Sequence, residues 1–352
     1  MVVTRWVVTG GCGFIGSALV RALVRNGDCV TVVDDLSVGT PESLEAGIDL
    51  VEPAGFGPDP GWTPGRVRLF AADVRDPRTA RHAVHGADVI AHLAARTGVD
   101  QSVAEPLPDL WVNVLGTVAY LEAAREAGVP RFLFASSGAP VGSIEPPLHE
   151  RVPCRPVSPY GASKLAGEGY CSAYFHSFGV ETVALRFGNV YGPGSSHKGS
   201  VVARFIRRAR AGLRLEIHGS GDQTRDFVYV DDLVEALLAA SRAPGVGGEV
   251  FQIATEQETT VRELAELLCA VLTRHRVERP EVAPAPARVG DVARSYACTE
   301  AARARLGWRA RTSLSEGLER TVCWFLDTNT GHDVLDAEVP PAASLVQMGG
   351  AS

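Results

Sequence analysis

The sequence predicts an α/β protein: a doubly wound parallel sheet with helices on both faces, followed by a smaller C-terminal substrate-binding lobe. Short apolar runs recur without polar alternation from Trp6 to about Thr182, as strands buried on both faces require. Helical patterns separate those runs, so that each strand returns parallel to the others. The first run also opens into a glycine-rich turn and then an amphipathic helix, a unit that begins many such sheets.

In order, the strand candidates are "WVVTG", "CVTVVD", "RVRLFAAD", "DVIAHLAA", "RFLFAS" and "VETVALRF". The stretch Pro53 to Gly65, "PAGFGPDPGWTPG", reads as a Pro/Gly-rich surface loop. After about Phe187 the pattern loosens, with helices expected at about Val201–Ala211, Asp232–Ser241 and Val261–Thr273. Pro280 to Pro286 reads as a spacer, and the tail after Gly331 is small, polar and Pro-containing, which predicts fraying.

The 352 residues suit one large domain or two ordinary ones, and 45% hydrophobic with 21% charged residues can bury a sizeable core. A net charge of −7 offers no footprint for nucleic acid or an anionic membrane. The arginine run "RFIRRARAGLR" reads as the solvated face of a helix. No stretch reaches the about 18 apolar residues of a membrane span, and "MVVTRWVVTGG" reads as a strand rather than a signal peptide. The seven cysteines are scattered, without CxxC or Cys/His metal spacing, so reduced thiols in a cytoplasmic protein and no metal are expected.

"VVTGGCGFIGSALVRAL" sets Gly10, Gly13 and Gly16 between a strand and a helix. Glycines there permit a tight turn, let backbone N–H groups approach a pyrophosphate, and let helix pack on strand. The next strand ends in Asp34, whose carboxylate would accept hydrogen bonds from a ribose diol and repel a 2′-phosphate; this favours NAD over NADP. Asp73, after "RLFAA", is placed for the adenine edge, and "HLAA" offers small residues where a strand end passes the pyrophosphate. His92 itself reads as a core or supporting residue.

"SPYGASKLAGE" puts Tyr160 and Lys164 one helical turn apart on a single face. A phenol titrates near 10 and acts as a base at neutral pH only where cations stabilise its phenolate. An ammonium beside it and an oxidised nicotinamide above it would do so; a drop of about 3 units takes roughly 4 kcal/mol. Ser136 or Ser137, ending the preceding strand, would bond the same substrate oxygen.

With these motifs the chain resembles the extended short-chain dehydrogenases/reductases, and within them the nucleotide-sugar epimerases and dehydratases. "TGGCGFIGS", "HLAA", "YGASK", "RFGNVYGPG", "GSGDQTRDFVYVDDL" and "LGW" occur in that order across roughly residues 3 to 326. The resemblance implies a Rossmann sheet and a catalytic triad of Ser137, Tyr160 and Lys164. It implies NAD contacts from Gly10, Gly13, Phe14, Ile15 and Gly16, then Asp34, Asp35 and Ser37. Further contacts are implied for Asp73, Val74, Leu93, Ala94, Ala95, Tyr160 and Lys164, with Asn113 near the cofactor supporting the lysine. Asn189 and Arg225 match positions that hold a sugar-nucleotide diphosphate, and "ARVGD" aligns Arg288 and Asp291 with a phosphate and a nucleotide-ribose contact. Ser295 falls where relatives restricted to plain hexoses carry a bulky Tyr, so an N-acetyl sugar would fit. The implied division is residues 1–187 for NAD and catalysis, 188–330 mainly for the nucleotide sugar, and 331–352 as a flexible tail. The helices carrying Asn113 and Tyr160 have apolar residues on more than one face, and in the family they pair across a two-fold axis, which implies a homodimer.

The two residues after the strand-end serines narrow the chemistry. Dehydratases of the family place Asp and Glu there, and decarboxylases a Glu, to move a second proton. Here Gly138 and Ala139 occupy those positions and can do neither. The site expected is one that removes a hydroxyl proton while hydride leaves the same carbon: a UDP-hexose 4-epimerase passing through a 4-keto sugar. A 4-ketoreductase is the nearest alternative, but it must exchange reduced cofactor, commonly NADPH, which Asp34 disfavours; a decarboxylase or dehydratase comes third. Pro140 and Val141 replace the usual tyrosine of the family's "VYG", which predicts a differently shaped sugar pocket.

Overall fold

The computed structural model describes residues 3–45, 47–51, 61–287 and 292–328. Seven strands are β1 (Arg5–Thr9), β2 (Cys29–Asp34), β3 (Gly47–Val51), β4 (Arg66–Ala71), β5 (Val89–His92), β6 (Arg131–Ser137) and β7 (Thr182–Phe187). An eighth, Glu249–Ile253, pairs with β7, and the sheet runs in the order Glu249–Ile253, β7, β6, β5, β1, β2, β4, β3, parallel throughout. The chain winds outward from β1 through β2 and then returns to β5 on the other side. That reversal opens a crevice beyond the carboxyl ends of β1 and β5, where Thr9 stands opposite His92.

The lack of polar alternation has its cause in the two covered faces. Trp6 and Val8 of β1 enter one core with Leu19, Leu23 and Leu237, while Val7 enters another with Tyr120, Phe132 and Cys171. On β6, Leu133 and Ala135 face the first core, and Phe132 and Phe134 the second. A third core fills the lobe, where Phe205, Leu264, Leu268, Leu318 and Phe325 join the helices Val201–Arg210, Val261–Arg274 and Leu314–Asp327.

Three sequence expectations change. Pro280–Pro286 is not simply a spacer, because Val282–Ala285 pairs in parallel with Leu215–His218. The arginine run is only partly solvated: Arg207 is buried and its Nη1 donates to the carbonyls of Ser196 (2.5 Å) and Lys198 (2.8 Å), pinning the loop ahead of its helix. Residues 188–330 do not all leave the sheet, since Glu249–Ile253 extends it and the helix Val230–Arg242 packs against the helix Phe14–Arg25. Most of the Pro53–Gly65 loop and the tail from residue 329 lie outside the described residues. Among the described residues no helix is long and apolar enough to cross a membrane.

Candidate active site

The glycine turn sits at the reversal of the sheet. Gly10 has φ +67°, and a Cβ there would stand 2.8 Å from the Ala94 Cα, so this strand end passes too close for a side chain. A Cβ at Gly16 would come within 2.1 Å of the Gly10 carbonyl oxygen, which fixes how closely helix meets turn. Gly13 begins the helix Phe14–Arg25 with no side-chain cap and no acidic residue in the first turn. Its leading N–H groups are therefore left for an anion. Phe14 is buried and Ile15 half-buried behind it.

Thr9 ties this turn to the next strand end: its Oγ1 bonds His92 Nδ1 at 2.9 Å and accepts from Ala94 N at 3.2 Å. Leu93, Ala94 and Ala95 follow half-buried along the crevice. Asp34 ends β2 buried, with Oδ2 accepting from Cys12 N and Oδ1 from Leu36 N, both at 2.9 Å. Burial raises its carboxyl, and those two bonds oppose the rise. The carboxylate is thus oriented while each oxygen keeps a lone pair for a diol. Asp35 accepts from Ser37 N and Oγ at the exposed rim. Asp73 is held by the Arg75 guanidinium, which keeps its carboxyl below the usual range, and Val74 beside it is buried. These residues fit a dinucleotide: an uncapped helix N-terminus for the pyrophosphate and an oriented acid for the ribose.

Tyr160 enters through a capped helix, Pro159–Phe178. Ser158 accepts from Gly161 N at 3.1 Å, Pro159 starts the first turn, and Gly179 ends the helix at φ +71°. Burial pushes the Tyr160 phenol up to about 12, a hydrogen bond with Ser137 opposes this, and Asp109 adds to it. Lys164 is buried one turn on, its Nζ donating to Ala135 O at 2.8 Å and lying 6.0 Å from the Tyr160 ring centroid. Burial brings its ammonium down to about 8, while Asp109 pulls it back up. The choice between the serines comes from strand geometry. Ser136 Oγ donates to the buried Glu168, whereas Ser137, on the opposite face, is the serine whose hydroxyl lowers the Tyr160 phenol. His92 is a core residue, stacked near Tyr120, Phe132 and Phe134 and brought down to about 3 by burial.

Asn113 lies in a π-helical turn, Trp111–Gly116. Its Oδ1 accepts from Arg96 N at 2.9 Å, and its Nδ2 reaches Arg96 O, Asp109 Oδ1 (3.0 Å) and Ser163 Oγ (3.1 Å). Asp109 belongs to none of the sequence motifs. It is 2% exposed and its Oδ2 has no hydrogen-bond partner, yet its charge acts on both Lys164 and Tyr160. The one signal for it in the sequence is its place four residues before Asn113, one helical turn.

Gly138 would accept a side chain, since a Cβ there meets only Leu148 Cδ1 at 3.7 Å. The missing acid is therefore not imposed by crowding. Pro140 and Val141 are buried in the short turn Ala139–Val141. On the lobe side, Asn189 starts a strand paired with Phe227–Tyr229, and Arg225 Nη1 donates to the carbonyls of Thr224 (2.6 Å) and Val292 (2.7 Å). Ser295 N meets Thr224 Oγ1 at 3.3 Å, and Leu148 exchanges hydrogen bonds with Tyr296 and Cys298 at 2.8 Å. Ser295 thus lies in the seam between the lobe and the loop that leaves β6. Arg288 and Asp291 lie outside the described residues.

Residues 6–254 match the NAD dependent epimerase/dehydratase family. The chain belongs to that family. It is 38% identical over 326 residues to a UDP-glucose 4-epimerase of Mycolicibacterium smegmatis, covering 91% of this chain and 98% of the relative. Among solved structures it resembles a UDP-glucose 4-epimerase of Thermotoga maritima with UDP-glucose, at TM-score 0.81 and 34% identity, covering 92% of this chain and 99% of the other. A UDP-glucose 4-epimerase of Thermus thermophilus in complex with NAD matches at TM-score 0.79 and 34% identity, covering 92% and 100%.

Proposed function

We propose that this protein is a nucleotide-sugar 4-epimerase, acting on a UDP-hexose with an NAD that stays bound through the cycle. The observation that carries the reading is Tyr160 one helical turn before a buried Lys164 whose Nζ bonds Ala135 O on β6, two residues before Ser137, with Gly138 and Ala139 following and offering no second proton carrier. Gly10, Gly13 and Gly16 would hold the pyrophosphate of the cofactor and Asp34 its adenosine ribose, with Asp35, Ser37, Asp73 and Val74 around the adenosine end. When bound, an oxidised nicotinamide would supply a hydride acceptor and donor for C4 and a positive charge. Tyr160 removes the C4 hydroxyl proton, Ser137 holds that oxygen, and Lys164 stabilises the phenolate. Burial holds the Tyr160 phenol up, and the positive charge of a bound oxidised nicotinamide would favour its phenolate.

Asn189 and Arg225, with Arg288 and Asp291, are assigned to the nucleotide diphosphate, and Ser295 to the room beside the sugar's 2-substituent. Residues 1–187 then supply NAD and catalysis and 188–330 most of the sugar-nucleotide contacts. Seven free thiols suit a reducing cytoplasm. The test is a panel of UDP- and dTDP-sugars, plain and N-acetylated, incubated without added cofactor. We expect products of unchanged mass and inverted C4, and NAD released on denaturing the protein. Loss of about 18 or 44 mass units, for water or CO₂, would instead require an acid the site lacks.

The Asp109 carboxylate gives this mechanism a pH signature. Its charge raises both Lys164 and Tyr160. In Asp109→Asn both groups lose that bias, so both limbs of the pH–turnover profile move to lower pH and turnover at pH about 8 falls. The amide keeps an acceptor for Asn113, so folding is spared. A profile superimposable on the wild type would leave Asp109 without an electrostatic role.

We also propose a homodimer. Val103, Leu107, Leu110, Trp111 and Leu115 are exposed along consecutive helical turns, and Tyr170 and Phe178 are exposed on the neighbouring Tyr160 helix. Apolar surface gathered on packed helices is what a two-fold helical interface covers. Sedimentation at micromolar concentration is expected to give twice the chain mass, and a Leu115→Asp variant to sediment as a monomer.

A further inference from the structure

The helix Val261–Arg274 ends at His275, whose N–H is shared between the carbonyls of Val271 and Leu272. Beside it, the helix Leu314–Asp327 presents Glu319 and Cys323 one turn apart on one face. Both helices are anchored by one core, with Leu264, Leu268 and Leu272 of the first and Leu318, Val322 and Phe325 of the second fully buried. The backbone positions from which the three side chains meet above this core are therefore held by packing. One ligand atom from each of His275, Glu319 and Cys323 lies within 4.8 Å of the others.

We propose that His275, Glu319 and Cys323 form a metal site of the zinc(II) class. The Cys323 Sγ lies 3.6 Å from His275 Nε2. Tetrahedral zinc with Zn–N of about 2.0–2.1 Å and Zn–S of about 2.3 Å sets those two atoms about 3.5 Å apart. Glu319 Oε1 bonds His275 Nε2, so the metal takes the place of the proton between them. Glu319 Oε2 is held by Arg274 Nη2 at 2.5 Å, the kind of outer hydrogen bond that orients a ligating carboxylate. An imidazole, a thiolate and a carboxylate make a borderline-soft set, suited to zinc and unsuited to magnesium or calcium. Binding releases to solvent both the Cys323 thiol proton and the proton held between His275 and Glu319, with no change of oxidation state, and water completes the fourth position. No ligand lies on β6 or the Tyr160 helix. The metal thus clamps the last described helix to the lobe and takes no part in proton or hydride transfer. Ligands on separate helices, with His275 and Glu319 44 residues apart, leave no local spacing to read in the sequence.

The experiment is a cobalt(II) titration of the full-length protein after removal of metal by a chelator. The expected result is a thiolate-to-cobalt charge-transfer band with tetrahedral visible bands, saturating at one equivalent and bleached by zinc(II). Cys323→Ser should lose the charge-transfer band, and His275→Gln should weaken zinc binding by at least about tenfold. Both variants should retain wild-type circular dichroism, which shows that the loss is not unfolding. No stoichiometric binding, a band that survives in Cys323→Ser, or zinc affinity equal in the wild type and both variants overturns the site. Since no arm reads sugar turnover, the outcome is independent of the epimerase reading.

Discussion

Replacing Tyr160 with Phe is expected to lower turnover by roughly 10²–10⁴-fold while leaving nucleotide-sugar affinity nearly unchanged. The ring of Phe fills the same volume at the head of the helix, so packing and the Ser158 cap persist. What disappears is the phenol oxygen proposed to accept the C4 proton. No neighbour can replace it. The Ser137 hydroxyl is far too weak a base, Gly138 and Ala139 carry no titratable group, and the buried Lys164 has its ammonium on the Ala135 carbonyl. At about 1.4 kcal/mol per decade, the loss is about 3–5 kcal/mol of transition-state stabilisation. Steady-state assays on the preferred sugar decide it, together with binding of the UDP-sugar by calorimetry. Wild-type turnover in this variant would end the mechanism, and a matching collapse in affinity would reassign Tyr160 from base to binding contact.

How much of the fold and site is legible in the sequence depends on the range of the interaction. The glycine turn, Asp34 and the Tyr160–Lys164 spacing are local patterns, and in the fold Gly10 takes φ +67°, Asp34 ends β2 and Lys164 follows Tyr160 by one helical turn. β2 and β7 are legible because every residue in them is buried, which leaves runs dominated by apolar residues and free of strict polar alternation. Glu249–Ile253 is not, because it is an edge strand and its polar residues break the run. Val282–Ala285 is concealed by Pro284, which a strand tolerates when only one side pairs, as here against Leu215–His218. Ser136 and Ser137 cannot be told apart from sequence, since neighbours on a strand face opposite ways and only the fold says which face meets Tyr160. Asp109 and the Glu168–Arg186 pair depend on contacts across distant segments, and no spacing rule reports those.

That pair underlies the second large effect. Arg186 of β7 and Glu168 of the Tyr160 helix are 3% and 5% exposed, joined by Nε–Oε1 at 2.8 Å and Nη2–Oε2 at 2.7 Å. Glu168 also accepts from Ser136 on β6, and Arg186 reaches Cys154 Sγ at 3.0 Å. Two strands and the Tyr160 helix are thus tied through one carboxylate directly behind Ser137. Arg186→Met keeps much of the side-chain volume but leaves a carboxylate buried with only the Ser136 hydroxyl. Stranding one member of such a pair costs about 3–5 kcal/mol, which at this chain length lowers the melting temperature by on the order of 4–7 °C. The size of the loss does not measure what the pair contributes, because desolvating both charges already cost much of their attraction. Removing both charges separates the two quantities. In Arg186→Met with Glu168→Leu, the site is apolar apart from the Ser136 hydroxyl, and we expect most of the lost melting temperature to return. Thermal denaturation of the single and double variants reads this directly. A double variant no more stable than the single one would mean that the bidentate geometry, rather than the avoidance of a stranded charge, holds these three elements together.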